Sequence, residues 1–75
     1  MSVAAYVMVQ TEMGKAWNVS ETALKMDGVK AAHAVTGIYD VIIYMEASNL
    51  EALKDNITKI HDIKGIQRTQ TAVSL

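Results

Sequence analysis

Cysteine is missing from the sequence, which excludes disulfides and thiolate metal sites. A chain of 75 residues buries a small share of its surface and gains little stability alone, so another subunit becomes the expected support. Neither charge dominates: Lys plus Arg number 7 against 8 for Asp plus Glu, leaving no field to draw in phosphate backbones or anionic lipid. No direct nucleic-acid or membrane partner is expected. Phenylalanine is also absent, and Tyr6, Tyr39 and Tyr44 lack the neighbouring basic and glycine residues of base-stacking sheets. They read as packing and interface residues. No apolar run approaches the roughly 20 residues of a membrane span, and Met1-Ser2-Val3-Ala4 has no basic leader or cleavage site. The cytoplasm is the expected compartment. With no Pro-rich linker or charge run, residues 1–75 read as one domain.

What is present is periodicity. Val3, Ala5, Val7 and Val9 alternate with Ala4, Tyr6, Met8 and Gln10, the period of a strand. Ala16, Val19, Ala23 and Met26, with Trp17 and Leu24 beside them, follow helical spacing from Gly14 to about Met26, and Asp27-Gly28 supplies the stop. Val29 to Val35 and about Tyr39 to Glu46 read as a hairpin broken at Thr36-Gly37. Ser48-Asn49-Leu50-Glu51 has the form of a capping box, with Ser48 accepting from the amide three residues on. The helix that follows carries Leu50, Leu53, Ile57 and Ile60 on one stripe, and Ile66 to Ser74 closes as a strand. The order is β-α-β-β-α-β. It implies an α+β, ferredoxin-like fold, one four-stranded antiparallel sheet with two helices on a single face. The halves echo each other weakly, DGVKAAHAV at 27–35 against KGIQRTQTAV at 64–73.

Helices on one face leave the other to water, and that face should then be polar. Strand one is largely apolar on both faces, and Val41, Ile42, Ile43, Tyr44 and Met45 leave neither face of strand three polar. Soluble monomers rarely expose such a patch. A second copy packed on the sheet is the expectation.

The inventory for catalysis is thin. His33 and His61 are far apart, without a carboxylate at a spacing that suggests a base and its orienter, and they read as surface or helix-terminal imidazoles. Met1, Met8, Met13, Met26 and Met45 read as gap-filling core or interface sulfur. No catalytic residue, metal or cofactor is expected. The sequons at Asn18 and Asn56 fall in helical segments and read as chance matches. A polar cluster remains at the strand ends: Thr36 adds a hydroxyl, Gly37 permits φ > 0 and exposed amides, and Asp40 offers a carboxylate able to hold an ammonium group. From the residues alone, a turn in which Asp40 bonds its own backbone is favoured over a binding site.

Two segments at the right separation, GVKAAHAVTGIYDVII at 28–43 and IHDIKGIQRTQTAVSL at 60–75, make the chain resemble the ligand-binding (RAM) half of the Lrp/AsnC family of transcriptional regulators. That resemblance implies a ferredoxin-like module that forms a homodimer through its sheet faces and assembles further into rings of dimers. It also implies a small amino-acid effector held between dimers; the thin catalytic inventory is what argues against an enzyme. Carried over by position, Thr36, Gly37 and Asp40 match the turn that binds the effector's polar ends. Leu50 and Thr71, Ala72, Val73 and Ser74 match positions that line or adjoin the site. Ala34 and Ala72, small where bulkier residues would shape a pocket, leave the effector's identity open.

Full-length members of that family carry a helix-turn-helix domain, whereas here strand one begins at the third residue, so DNA binding does not carry over. The Met1-Ser2 start points to a stand-alone module. Three functions follow as expectations: an amino-acid sensor that modulates regulators, an assembly-only partner of full-length Lrp/AsnC regulators, or a dimeric α+β barrel enzyme. The last would place Trp17 or His33 in a closed apolar pocket.

Overall fold

Alternation in β1 (Val3–Thr11) buries Ala5, Val7 and Val9 completely while Tyr6 stays 49% exposed. In the computed structural model, which describes residues 2–74, β1 is followed by α1 (Ala16–Leu24), β2 (Val29–Ala34), β3 (Val41–Ala47), α2 (Leu50–His61) and β4 (Ile66–Val73). Met1 and Leu75, the first expected as a gap filler and the second ending the closing segment, lie outside the described residues. The sheet runs β2-β3-β1-β4 with every pairing antiparallel. This is the ferredoxin-like βαββαβ arrangement that the element order implies.

β3 repeats the alternation of β1, burying Val41, Ile43 and Met45. Val19 and Ala23 of α1 and Leu53 and Ile60 of α2 complete the core. α1 lies over β2 and β3, and α2 over β1 and β3. Helical coverage therefore stops short of β4, whose Val73 remains 44% exposed. Full burial of each such aliphatic side chain contributes about 1.5–3 kcal/mol, and these residues supply most of the drive to fold.

Glycines set the two helix-to-strand joints. Gly28 takes φ +83°, and a Cβ there would lie 2.7 Å from Asn56 Nδ2 and 2.8 Å from the Glu46 carbonyl oxygen. No other residue fits without movement of its neighbours.

The boundaries depart from the sequence expectation at several points. α1 is shorter than the stretch from Gly14 to Met26, and Lys15, the N-cap residue before it, makes no side-chain cap. Capping of α2 falls to Asn49, not Ser48: Asn49 Oδ1 accepts from the Ala52 amide at 2.8 Å, because Asn49 is the residue left extended at φ −155°. Leu50, placed by spacing on the buried stripe, is 63% exposed as the first residue of α2, on the side where helical coverage stops short of β4. Met13 is fully exposed and Met45 fully buried, so the methionines divide between solvent and core. Among the described residues, no helix is long and apolar enough to cross a membrane.

Candidate functional site

The hairpin between β2 and β3 is pinned from three directions. Within it, the Val35 amide donates to the Asp40 carbonyl at 2.8 Å, and the Asp40 amide donates to the Val9 carbonyl at 2.8 Å. Gln10 Nε2 donates to the Ile38 carbonyl at 3.0 Å. Tyr39 donates its hydroxyl proton to Gln70 Oε1 at 2.6 Å, tying the loop to β4. The Asp40 carboxylate is itself part of this frame, for its Oδ2 accepts from the Thr11 amide at 2.8 Å. That contact sits where the β1–β4 register shifts between Gln10 and Thr11, a bulge whose freed amide needs an acceptor. The expected turn in which Asp40 bonds its own backbone is thus corrected: its carboxylate serves the backbone of a distant strand, because the bulge there frees an amide.

Gly37 takes φ +112° with nothing within 4 Å of a built Cβ. The apex is open to solvent. Ile38, next to it, is 80% exposed. Thr36 lines a cavity of about 590 Å³ together with Ala16, Trp17, Ala34 and Val35.

Leu50 and Val73 line a second groove of about 380 Å³, whose other walls are Glu51, Leu53, Lys54 and Ile57. It forms where α2 fails to cover β4. Thr71 pairs with the buried Val7 and shares the groove face of the sheet, whereas Ala72 pairs with Tyr6 and faces the opposite side. Ser74 follows the strand, its amide donating to the Ala4 carbonyl at 2.8 Å.

By their position along β1 the eight expected site residues form two groups, and Ala72 of the second stands on the opposite face of the sheet from the groove. Val9 pairs with Val41 at the hairpin end of β1, while Ala5 pairs with Val73. Strand rise puts about 13 Å between those two positions, and the groups diverge further beyond them. Within one chain the structure does not bring Thr36, Gly37 and Asp40 together with Leu50 and Val73. Glu51, Leu53, Lys54 and Ile57 also line the groove without having been expected at the site; for Leu53 and Ile57 the apolar stripe of α2 was the available signal.

The helix-free face of the sheet carries Tyr6, Met8, Ile42 and Tyr44 in register across β1 and β3. Tyr6 and Tyr44 meet with ring centroids 5.0 Å apart and planes tilted by 47°. Tyr44 donates to Glu46 Oε2 at 2.7 Å, and this bond, followed by desolvation and the Glu46 charge, raises the phenol above its ordinary value. Ala31 and Ala72 extend the apolar area to either side, and His33 stands beside Ile42 at its margin.

His61 closes α2 with its Nε2 3.0 Å from the Thr69 hydroxyl. Among the described residues no three His, Asp or Glu side chains gather as metal ligands. Trp17 is 71% exposed on α1 and His33 is exposed on the other side of the sheet. They share no closed pocket.

Comparison with known proteins adds identity to this geometry. The family profile described as the Lrp/AsnC ligand binding domain matches residues 4–75. The HTH-type transcriptional regulator FL11 of Pyrococcus abyssi is 26% identical over 74 residues, which cover 99% of this chain and 49% of FL11. The chain spans about half the length of the curated relatives it matches. PHS023 of Pyrococcus horikoshii, a solved structure, is 38% identical and superposes with a TM-score of 0.91 over 97% of this chain and 89% of that one. E. coli AsnC is 28% identical, with a TM-score of 0.79 over 97% of this chain and 50% of AsnC.

Proposed function

Because the chain belongs to the Lrp/AsnC ligand-binding domain family, we propose that it is an amino-acid-sensing, oligomerising module that modulates transcription regulators. The observation that carries this reading is the division of the candidate site between opposite ends of β1. Residues that cannot meet within one chain meet when the hairpin end of one copy faces the groove end of another. The effector then sits at a subunit junction, its polar ends near Thr36, Gly37 and Asp40 of one copy, with Leu50 and Val73 supplied by the next.

Pairing through the apolar sheet face gives the underlying homodimer, burying Tyr6, Met8, Ile42 and Tyr44 from both copies in an isologous contact. An effector bound at a junction between such dimers favours the assembly that contains the junction, and so converts amino-acid concentration into oligomer population. In this reading the module acts on transcription through the regulators it assembles with. The cytoplasm is the fitting compartment.

Isothermal titration against a panel of amino acids tests the reading. Saturable heat with at least one is the expected result; no heat from any of them at millimolar concentration, by folded protein, sinks it.

One observation favours a second reading. The Asp40 carboxylate already serves the Thr11 amide, which leaves less of it for an effector's ammonium group. A module that only co-assembles with full-length Lrp/AsnC regulators needs no effector contact there. Mass measurement after mixing with such a regulator separates the two, since an assembly-only module must exchange subunits.

A further inference from the structure

The cavity of about 590 Å³ between the start of α1 and the end of β2 lies wholly within one chain. Its origin is a shortage of side-chain volume. Ala34 pairs with the buried Val41 and so faces the helices, and α1 begins with Ala16, so methyl groups line a gap that larger residues would fill. Trp17 forms another wall and stays 71% exposed. Val35 and Thr36 complete the lining, and none of the five residues is charged.

Size and lining decide what fits. The volume falls within the roughly 300–1,000 Å³ of small-ligand pockets. A charged side chain entering it would give up hydration and meet no opposite charge. An exposed indole gains most from a second ring set offset or tilted against it, where the ring quadrupoles add to the area buried. Thr36 joins this cavity to the hairpin turn, at which Gly37 leaves the backbone open. We infer that the cavity takes the uncharged aromatic side chain of an amino acid whose polar ends bind at that turn, which makes the effector class aromatic. This rests on the amino-acid-sensing reading but asks nothing of contact between copies, since every residue that meets the ring belongs to one chain.

Trp17 is the single tryptophan, so its emission reports the cavity directly. Titrated with L-phenylalanine under indole-selective excitation, the emission should shift and saturate, with L-leucine weaker and L-glutamate and L-lysine without effect. Trp17→Ala, at an exposed position, removes one wall and keeps the fold; calorimetry should read its phenylalanine affinity as lower by roughly tenfold. Ala34→Leu fills the cavity and keeps the reporter, and it should abolish the shift in protein that circular dichroism shows to be folded. Emission unmoved by phenylalanine, a leucine response as large, or a variant that binds phenylalanine as the wild type does overturns the site. So does a shift on concentrating the protein alone, because another copy then covers the indole. Calorimetry of the wild type separates the two readings. Heat from some other amino acid with Trp17 emission unmoved overturns the aromatic site and leaves the sensing reading standing, whereas no heat from any amino acid sinks the sensing reading and the site with it.

Discussion

The carboxylate of Asp40 holds the amide of Thr11 at 2.8 Å across 29 residues of chain. The bond makes the hairpin apex a continuation of the sheet, and it gives Asp40 a structural duty besides any ligand contact.

Replacing Asp40 separates those duties. Asp40→Ala strands a part-buried amide and should cost about 1–3 kcal/mol of stability, measured as a shift of the urea midpoint. Asp40→Asn keeps an acceptor for Thr11 and should lose far less. If an effector's ammonium group contacts the same carboxylate, Asp40→Asn lowers its affinity by roughly tenfold or more with the fold retained. Equal stability of the Ala and Asn variants contradicts the structural duty.

The hairpin shows what a sequence can and cannot disclose. Period-two alternation in VAAYVMVQ gives β1 and its buried face directly, and apolar residues on both faces of β3 announce an uncovered sheet. The partner of Asp40 was not legible, because Thr11 is remote in sequence and its amide is freed by a bulge that no local pattern marks. The α2 cap was ambiguous for a local reason: Ser48 and Asn49 are both good caps, and the chain's path decides which stays extended. Leu50 kept the helical period yet missed the core, since period reports direction and says nothing of how far α2 covers β4. The site residues were reached by resemblance, and their separation within one chain emerged only with the topology.

The helix-free face gives the second prediction. Ile42 lies there between His33 and Met8, so Ile42→Glu should weaken the proposed sheet-face dimer by about 2 kcal/mol or more, roughly 30-fold in Kd. Sedimentation equilibrium measures this. A dimer of unchanged affinity places the subunit contact elsewhere.

Two glycines should respond differently to the same change. Gly28→Ala meets both a positive φ and two atoms closer than 3.0 Å, and should cost about 2–4 kcal/mol. Gly37→Ala meets open space and should cost only the conformational strain, about 1–2 kcal/mol. Urea unfolding of the pair gives the order directly, and a reversed order contradicts the packing at the α2–β3 crossing.

Tyr44 supplies the pH-dependent prediction. Its hydrogen bond to Glu46, with desolvation and the Glu46 charge behind it, holds the phenol above its ordinary 10.0. A group with a raised folded value contributes stability in full below its unfolded value, and that stability is lost as pH rises through the folded one. Glu46→Gln should therefore lower the Tyr44 midpoint toward 10.0, followed by phenolate absorbance in a Tyr6→Phe, Tyr39→Phe background. An unmoved midpoint removes Glu46 as the cause.

The length of β1 has one more implication. If, as proposed, a binding site has its halves at those two ends and is completed only between copies, it exists in proportion to the number of encounters between copies. Such a receptor answers to its own abundance as well as to its effector: the ligand concentration for half-response falls as the protein accumulates. The cell could then retune the sensor by expression alone, with no change to any residue that touches the ligand.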